Sequence, residues 1–336
     1  MKTTDFAKYL SSFLGTYMPG VRNVSTNTIR SYRDTYRLFL MYCKNNLGIP
    51  VEKISLAKLT DKVVIGFLDW LQEERRCSPS TRNQRLAALH AFFRYVQLEE
   101  PVFLASCQKI LAIPFKKHYK PPVRHLTPDA LRLILEQPDK NTHKGRRDLT
   151  ILSVLYDTGA RVQELVDLRV RDIRLDEPPV VSLTGKGRKT RHVPLMCNTA
   201  ELLSRYLREN GLGYDGTLDT PLFVNHQCEK MTRAGIAYIL RKYSEMARKK
   251  SLIIPEAVTP HVLRHTKAMH LYQSGVALIY IRDLLGHVDI STTDIYARAD
   301  TEMKRKALEK AYPDMTSATL PDWNQNEDLL SWLKNL

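Results

Sequence analysis

Six residues from position 161 onward carry side chains that can bind and attack a phosphate: Arg161, Lys186, His261, Arg264, His287 and Tyr296, in that order. Two guanidiniums and two imidazoles suit the negative charge of a phosphodiester, and one phenol can attack it without a metal. The chemistry this set supports is transesterification of DNA, which needs a nucleophile, donors for the non-bridging oxygens and an acid for the departing 5′ oxygen. Tyr296, in Ser-Thr-Thr-Asp-Ile-Tyr296, is the candidate nucleophile. A phenol with a pKa of about 10 must lose its proton during attack, to a nearby base or in a cationic field. Arg161, in Thr-Gly-Ala-Arg161-Val-Gln-Glu164-Leu, follows a tight turn near a helix start, where its planar fork can grip two phosphate oxygens. Glu164 either orients that fork from behind or engages it in a surface ion pair. His261 and Arg264 lie i, i+3 on a helix begun by Thr259-Pro260, so both project to one side. Lys186, in Gly185-Lys186-Gly187, sits where a tight bend can carry an ammonium into a groove to protonate a leaving alkoxide.

Taken singly, each residue has an ordinary use. The chain has 16 tyrosines, and a helical tyrosine is commonly a half-buried packing residue. Lys186 can be an exposed hairpin tip, and Arg188, Lys189 and Arg191 are close substitutes. His287, after Leu284-Leu285-Gly286, can be a core histidine. His261 and His265 form an i, i+4 pair able to chelate, with His270 beyond, but Val262 stands where zinc hydrolases place a glutamate, so no metal is assigned. The glycines around Lys186 do not make a nucleotide-binding phosphate loop, because Val180 and Gly187 break its pattern. It is the joint order of the matches, with their flanking residues, that outweighs these separate uses.

Something must bring these distant stretches together, and the sequence predicts mainly helix with a small β-hairpin. Residues 1–112 read as a helical DNA-binding domain. Ile29, Tyr32, Tyr36, Phe39, Leu40 and Cys43 mark one face of a long helix. A second helix spans about Thr60 to Glu74, with Val64, Phe67, Leu68 and Leu71 inward, and a third follows Ser78-Pro79-Ser80, burying Leu86, Leu89, Phe92, Phe93 and Val96. Its expected exposed side carries Thr81, Arg82, Gln84 and Arg85, which can meet phosphates or base edges in a major groove or simply be solvated. Residues 113–125 hold Lys116, Lys117, Lys120 and a Pro-Pro pair and read as an extended basic linker whose lysines are candidate phosphate contacts. The catalytic part, 126–336, opens at Thr127-Pro128-Asp129. Within it Val180–Leu183 and Thr190–Leu195 read as two strands joined by the basic turn that holds Lys186, with Arg188 and Lys189 as further DNA contacts.

Charge names the partner class. Lys+Arg 51 against Asp+Glu 36 gives +15 and a pI near 9.5, which favours a polyanion. The surplus is split: residues 1–118 carry 18 basic and 9 acidic side chains, leaving +6 for the remainder, an arrangement suited to a clamp around duplex DNA. No apolar run long enough to span a membrane and no leader pattern is read, so the expected setting is the bacterial cytoplasm, at the nucleoid. Cysteines 43, 77, 107, 197 and 228 lack metal-ligand spacing and read as reduced thiols.

The motifs around Arg161, Lys186, His261-Val-Leu-Arg264-His-Thr, Leu-Leu-Gly-His287 and Tyr296 closely resemble those of the tyrosine recombinase family, the phage integrases and Xer-type recombinases. The strong motifs cover about 151–300, and the helical N-terminal part matches a core-binding, SAM-like domain more loosely. The resemblance implies that Arg161, Arg264 and His287 stabilise a pentacoordinate phosphorane. It implies further that Lys186 is the general acid, His261 assists proton transfer, and Tyr296 forms a 3′-phosphotyrosyl bond. Neither cofactor nor metal is implied. The implied partners are double-stranded recombination sites, three further copies of the chain in a tetramer on two DNA sites passing through a Holliday junction, and an accessory bending or directionality factor. Residues 326–335 are expected to form a C-terminal helix offered to a neighbouring protomer or to its own domain. The chain starts directly with the core-binding part, which favours a simple Xer-like or transposon-borne enzyme over an arm-binding, lambda-like integrase. Integration or excision of mobile DNA and Xer-like resolution both remain open.

Overall fold

The computed structural model describes residues 3–117, 123–185, 187, 189–287, 293, 295–296 and 333–334. The chain divides into two units, Met1–Pro121 and Pro122–Leu336, each with its own core.

All the regular elements of the first unit are helical among its described residues. Helix α1 (Asp5–Ser12) runs on into a π-helical stretch, Phe13–Val21, followed by α2 (Thr26–Asn45), α3 (Asp61–Glu73), α4 (Pro79–Glu99) and α5 (Leu104–Leu111). Ser25, Thr60 and Ser78 each accept a hydrogen bond from the backbone N–H three residues on, so side-chain oxygens set these helix starts. The helical period then turns Tyr36 and Phe39, Phe67 and Leu68, and Leu86, Leu89 and Phe92 into one buried cluster. Phe13 lies at its centre, in edge-on contact with Tyr36 and Phe92.

One expectation for α4 is corrected here. Arg82 is buried, at 4% exposure, rather than on the open side. It precedes Leu86 by four residues and Leu89 by seven, which puts it on the core stripe of the same helix. Arg85 also turns inward, its Nη1 donating to Ser31 O (3.1 Å) and Thr35 Oγ1 (3.0 Å) on α2, and Gln84 Nε2 donates to Ser31 Oγ. Thr81 remains half-buried, and Lys116 and Lys117 are exposed. Lys116 Nζ donates to Gln72 Oε1 on α3. Lys120 lies outside the described residues.

The second unit contains α6 (Pro128–Leu135), α7 (His143–Thr158), α8 (Val162–Asp167), three antiparallel strands, then α9 (Cys197–Glu209), α10 (Arg233–Lys250), α11 (Pro260–Gln273) and α12 (Leu278–Leu285). The strands β1 (Ile173–Arg174), β2 (Val180–Thr184) and β3 (Thr190–Pro194) lie in that order. Strand β1 was not expected, since two residues offer no alternation to read. In β2 and β3 the period of two sends Val181, Leu183 and Val193 inward, and Leu183 pairs with Arg191, which therefore shares the inner face.

Helix α7 is the central element of this unit, with Ile151, Leu152, Val154 and Leu155 buried and α9, α10 and α11 packed on it. Helix α11 is tied down at several points. Lys267 Nζ donates to Asp157 Oδ1 (3.0 Å), and Leu126 N donates to Thr266 Oγ1 (2.9 Å). His270 uses both ring nitrogens: the Leu126 carbonyl, 2.9 Å from Nε2, can only accept, so Nε2 is the protonated nitrogen and Nδ1 accepts from Tyr156 OH at 2.9 Å. No helix among the described residues is long and apolar enough to cross a membrane.

Candidate active site

Two glycine-capped helix ends build the cation site. Helix α7 ends at Gly159 (φ 57°) and α12 at Gly286 (φ 64°), both left-handed, a conformation that costs glycine nothing. A side chain at either position would also crowd its neighbour: a Cβ at Gly159 would lie 2.8 Å from the Leu285 side chain, and one at Gly286 3.0 Å from the Arg191 guanidinium, so each neighbour would have to shift. The free carbonyls at these helix ends, where the dipoles are negative, accept from Arg264: Nη1 donates to Gly159 O (2.8 Å) and Nη2 to Leu285 O (2.6 Å). Arg264 is thus held rigidly at 3% exposure. Burial pulls its pKa down to about 10, helped by the charges of Arg161 and Arg191, so it stays protonated at neutral pH while crowded by like charge.

Glu164 organises the other arginines. Its carboxylate accepts from Arg161 Nη1 (2.8 Å) and Arg161 N (2.8 Å) on one side, and bidentately from Arg191 Nη1 (3.1 Å) and Nη2 (2.7 Å) on the other. Burial by itself raises this carboxyl, but the hydrogen bonds from Arg191 and from Arg161 outweigh it and hold it below the usual range. The ion pair and the orienting role foreseen as rival uses of Glu164 are therefore one arrangement. Arg161 remains 39% exposed at its side chain, with Nη1 on Glu164 and Nη2 donating to Gly286 O (3.4 Å). Arg161, His261 and Arg264 line a single cleft of about 630 Å³ together with Gln163 and Arg233.

Removing the charge of Glu164 should unlock both guanidiniums. Glu164→Gln is expected to destabilise the second unit by about 3 kcal/mol, the cost of breaking a buried pair from one side, and to slow any reaction that uses Arg161. Urea denaturation midpoints measure it; a change below about 1 kcal/mol would show that the carboxylate is not what holds the pair.

The phenol is not part of the lining of this cleft. Tyr296 is fully buried, and its hydroxyl lies 3.0 Å from His265 Nδ1, the rings meeting edge-on. Burial raises its pKa to about 12, against a lowering from Arg264. His287 Nδ1 lies 3.0 Å from Thr293 Oγ1, and its ring faces that of Tyr296 almost in parallel, at 15° and 6.5 Å. His261 stacks on His265 with rings 5.8 Å apart. So the helix spacing brings His261 and Arg264 to the cleft, and joins His265, one residue past Arg264, to Tyr296. Lys186 and Arg188 lie outside the described residues; Lys189 is exposed, and its carbonyl accepts from Gly185 N at the turn. The 326–335 helix also lies outside them, apart from positions 333 and 334.

Three residues of this site were not singled out from sequence. Arg191 had a usable signal, since β3 alternates and its inner positions are Arg191 and Val193. Arg233, at the first position of α10, and His265 as the partner of Tyr296 had none, because both depend on where separate segments meet.

His265 and His287 also predict acid lability. Burial, with neighbouring positive groups, lowers each to about 4 from an ordinary 6.5. The folded state thus prefers the neutral rings, the unfolded chain binds more protons between those values, and their stabilisation is complete above about pH 6.5 and lost as pH falls toward 4. We expect a loss of about 2 to 3 kcal/mol at pH 5 relative to pH 7, allowing for solvent contact and for the mutual coupling of the rings. A urea midpoint unchanged over that interval would contradict it.

Comparison with known proteins fits this geometry. The sequence pattern of the phage integrase family matches residues 124–303, and that of the phage integrase N-terminal SAM-like domain matches residues 14–101. The chain is 35% identical to a Sinorhizobium fredii protein named as an integrase/recombinase, y4rC, over all of this chain and 99% of that one. It is 31% identical to the tyrosine recombinase XerC of Syntrophus aciditrophicus, covering 88% of this chain and 95% of that one. Among solved structures, the fold is similar to that of the XerH site-specific recombinase in a post-cleavage complex on palindromic difH substrate, with a TM-score of 0.68, 24% identity, and 89% and 84% of the two chains covered. It is equally similar to the Tn1549 transposon integrase with transposon right end DNA, with a TM-score of 0.69, 19% identity, and 89% and 98% covered. Carrying both sequence patterns in order, and matched nearly end to end by such relatives, the chain belongs to the phage integrase family, the tyrosine recombinases.

Proposed function

We propose that the protein is a site-specific DNA recombinase that cuts and rejoins strands through a 3′-phosphotyrosyl intermediate. The scissile phosphate occupies the cleft between Arg161 and Arg264. Tyr296 attacks the phosphorus in line, Arg161, Arg264 and His287 stabilise the phosphorane, His261 assists proton transfer, and Lys186 protonates the leaving 5′ oxygen. Reversal by a 5′ hydroxyl from another strand reseals the backbone, and the bond energy kept in the tyrosyl ester makes a nucleotide cofactor unnecessary. The observation that carries this reading is Arg264, a buried guanidinium facing a cleft that it shares with Arg161, with its pKa pulled down by burial and by the charge of that neighbour. An anionic phosphate relieves that repulsion, and more so as negative charge builds on its oxygens in the transition state.

In this reading both units contact duplex DNA as a clamp, through Thr81, Gln84, Arg85, Lys116, Lys117, Lys120, Arg188 and Lys189, with Arg82 inside the first unit. The domain limits are 1–112, 113–125 and 126–336. Four protomers assemble on two sites, the 326–335 helix passing to a neighbour, with a bending or directionality factor assisting. The working place is the bacterial nucleoid. Integration or excision of a mobile element fits the family as well as Xer-like resolution does.

The deciding experiment offers the protein a randomised pool of nicked duplexes in EDTA, denatures it, and sequences the DNA that stays attached. Covalent adducts with one recovered sequence are expected. Cleavage that EDTA silences, or that never leaves DNA on the protein, would replace this reading with that of a metal-dependent nuclease.

A further inference from the structure

The assigned roles leave one group without an occupation. Attack by a phenol requires something to accept its proton; Lys186 is assigned to the leaving oxygen, and His261, expected to assist proton transfer, stacks on the His265 ring that lies between it and Tyr296. From the 3.0 Å contact between His265 Nδ1 and the Tyr296 hydroxyl, we infer that His265 is the base that takes the phenolic proton. The inference rests on the recombinase reading of Tyr296.

Geometry separates His265 from the other imidazoles. His287 presents its ring face to Tyr296 and has Nδ1 against Thr293, so it does not address the hydroxyl with a nitrogen lone pair. His261 is exposed at the cleft and reaches Tyr296 only through the His265 ring on which it stacks. Among the described residues the titratable groups facing His265 are Tyr296, His261, Arg264 and His125, and His261 and Arg264 also line the cleft proposed for the phosphate. Burial and these neighbours keep His265 neutral well below physiological pH, and in the tautomer with its proton on Nε2 the Nδ1 lone pair accepts from the Tyr296 hydroxyl 3.0 Å away. The same burial holds the phenol at about 12, so proton transfer ahead of attack is uphill.

The proton therefore moves as the bond to phosphorus forms, when the phenolic oxygen loses its affinity for it. In balanced form, the Tyr296 O–H bond breaks and its proton passes to His265 Nδ1. The Tyr296 oxygen bonds to phosphorus, the phosphorus–5′ oxygen bond breaks, and the leaving oxygen takes a proton from the general acid. Resealing returns each proton by the same path. Phosphate entering beside Arg264 offsets the positive charge near His265 and makes its protonated form easier to reach.

The test uses the full-length protein and the duplex recovered by covalent capture with the wild-type chain, so that wild-type adduct formation separates failure of the recombinase reading from failure of this one. His265→Ala is expected to bind that duplex but cleave it roughly 10²- to 10⁴-fold more slowly, with part of the rate restored by added imidazole. His265→Asn, which keeps a hydrogen-bond acceptor but no base, should show a rate that climbs with hydroxide from about pH 7 to 9, where the wild-type rate is flat. Cleavage by His265→Ala within about threefold of wild type overturns the inference, as does a loss that imidazole does not relieve accompanied by a flat pH profile in His265→Asn. If His265→Ala fails to bind DNA, the pH profile of His265→Asn decides alone.

Discussion

Tyr296→Phe is expected to abolish the covalent DNA adduct entirely while leaving duplex binding close to that of the wild-type chain. The phenyl ring fills the same buried space, so packing with His287 and the surrounding core survives, and only one oxygen is lost. That oxygen is the one the reaction uses to store the phosphodiester bond, and no other side chain among the described residues places a hydroxyl against His265 Nδ1. The effect on the fold is smaller: His265 Nδ1 is left without its partner, a penalty of about 1 to 3 kcal/mol for an unsatisfied buried acceptor. For a unit of this size the melting temperature should fall by roughly 2 to 4 °C per kcal/mol. Denaturing gels of trapped complexes and a calorimetric melt measure the two effects together. An undiminished adduct would move the nucleophile to another residue and undo the assignment of the whole pocket.

Arg264→Ala should be the most damaging change among the cations, because it acts on the fold and on the chemistry at once. The guanidinium satisfies carbonyls at the ends of two helices, Gly159 O on α7 and Leu285 O on α12, and both are left facing a cavity when it is removed. Chemically, a donor aimed at the phosphorane is lost, which costs roughly 3 kcal/mol or more in the barrier, a cleavage rate lower by at least about 100-fold. Arg161→Ala provides the contrast. Arg161 is more than one-third exposed at its side chain and ties down fewer buried groups, so a comparable rate loss is expected with a smaller drop in melting temperature. Arg264→Lys keeps the charge, but an ammonium cannot span both carbonyls in the planar geometry of the fork, and should recover only part of the rate. Single-turnover cleavage on a nicked duplex compares the variants. A rate for Arg264→Ala within tenfold of wild type would show that this buried cation serves the fold alone.

Much of the helical framework was legible because local rules write it directly. Ser78 before Pro79, Thr127 before Pro128 and Thr259 before Pro260 are helix starts in any context, and each caps its helix through its side-chain oxygen. The two main strands were legible from alternation, but β1 was too short to carry any. Arg82 shows the limit of reading charge as exposure: its spacing to Leu86 and Leu89 put it on the core stripe, and that periodic signal outranked its side-chain type. The π-helical continuation of α1, with Phe13 at the middle of an aromatic cluster, had no sequence pattern to announce it.

For the reacting groups, the sequence by itself determined the inventory and the kind of chemistry: a phenol, arginines and imidazoles in a fixed order, with His261 and Arg264 forced onto one side of a helix by the 3.6-residue turn. What only the tertiary structure decided is who touches whom. Glu164 bringing Arg191 beside Arg161, two glycine-ended helices gripping Arg264, and Tyr296 resting on His265 instead of His261 all join residues between 21 and 105 positions apart. Periodicity and capping act within one element, over a few residues, and reach no further. Contacts between elements are set by how whole helices pack, and that depends on the summed burial of many side chains, which no single motif records.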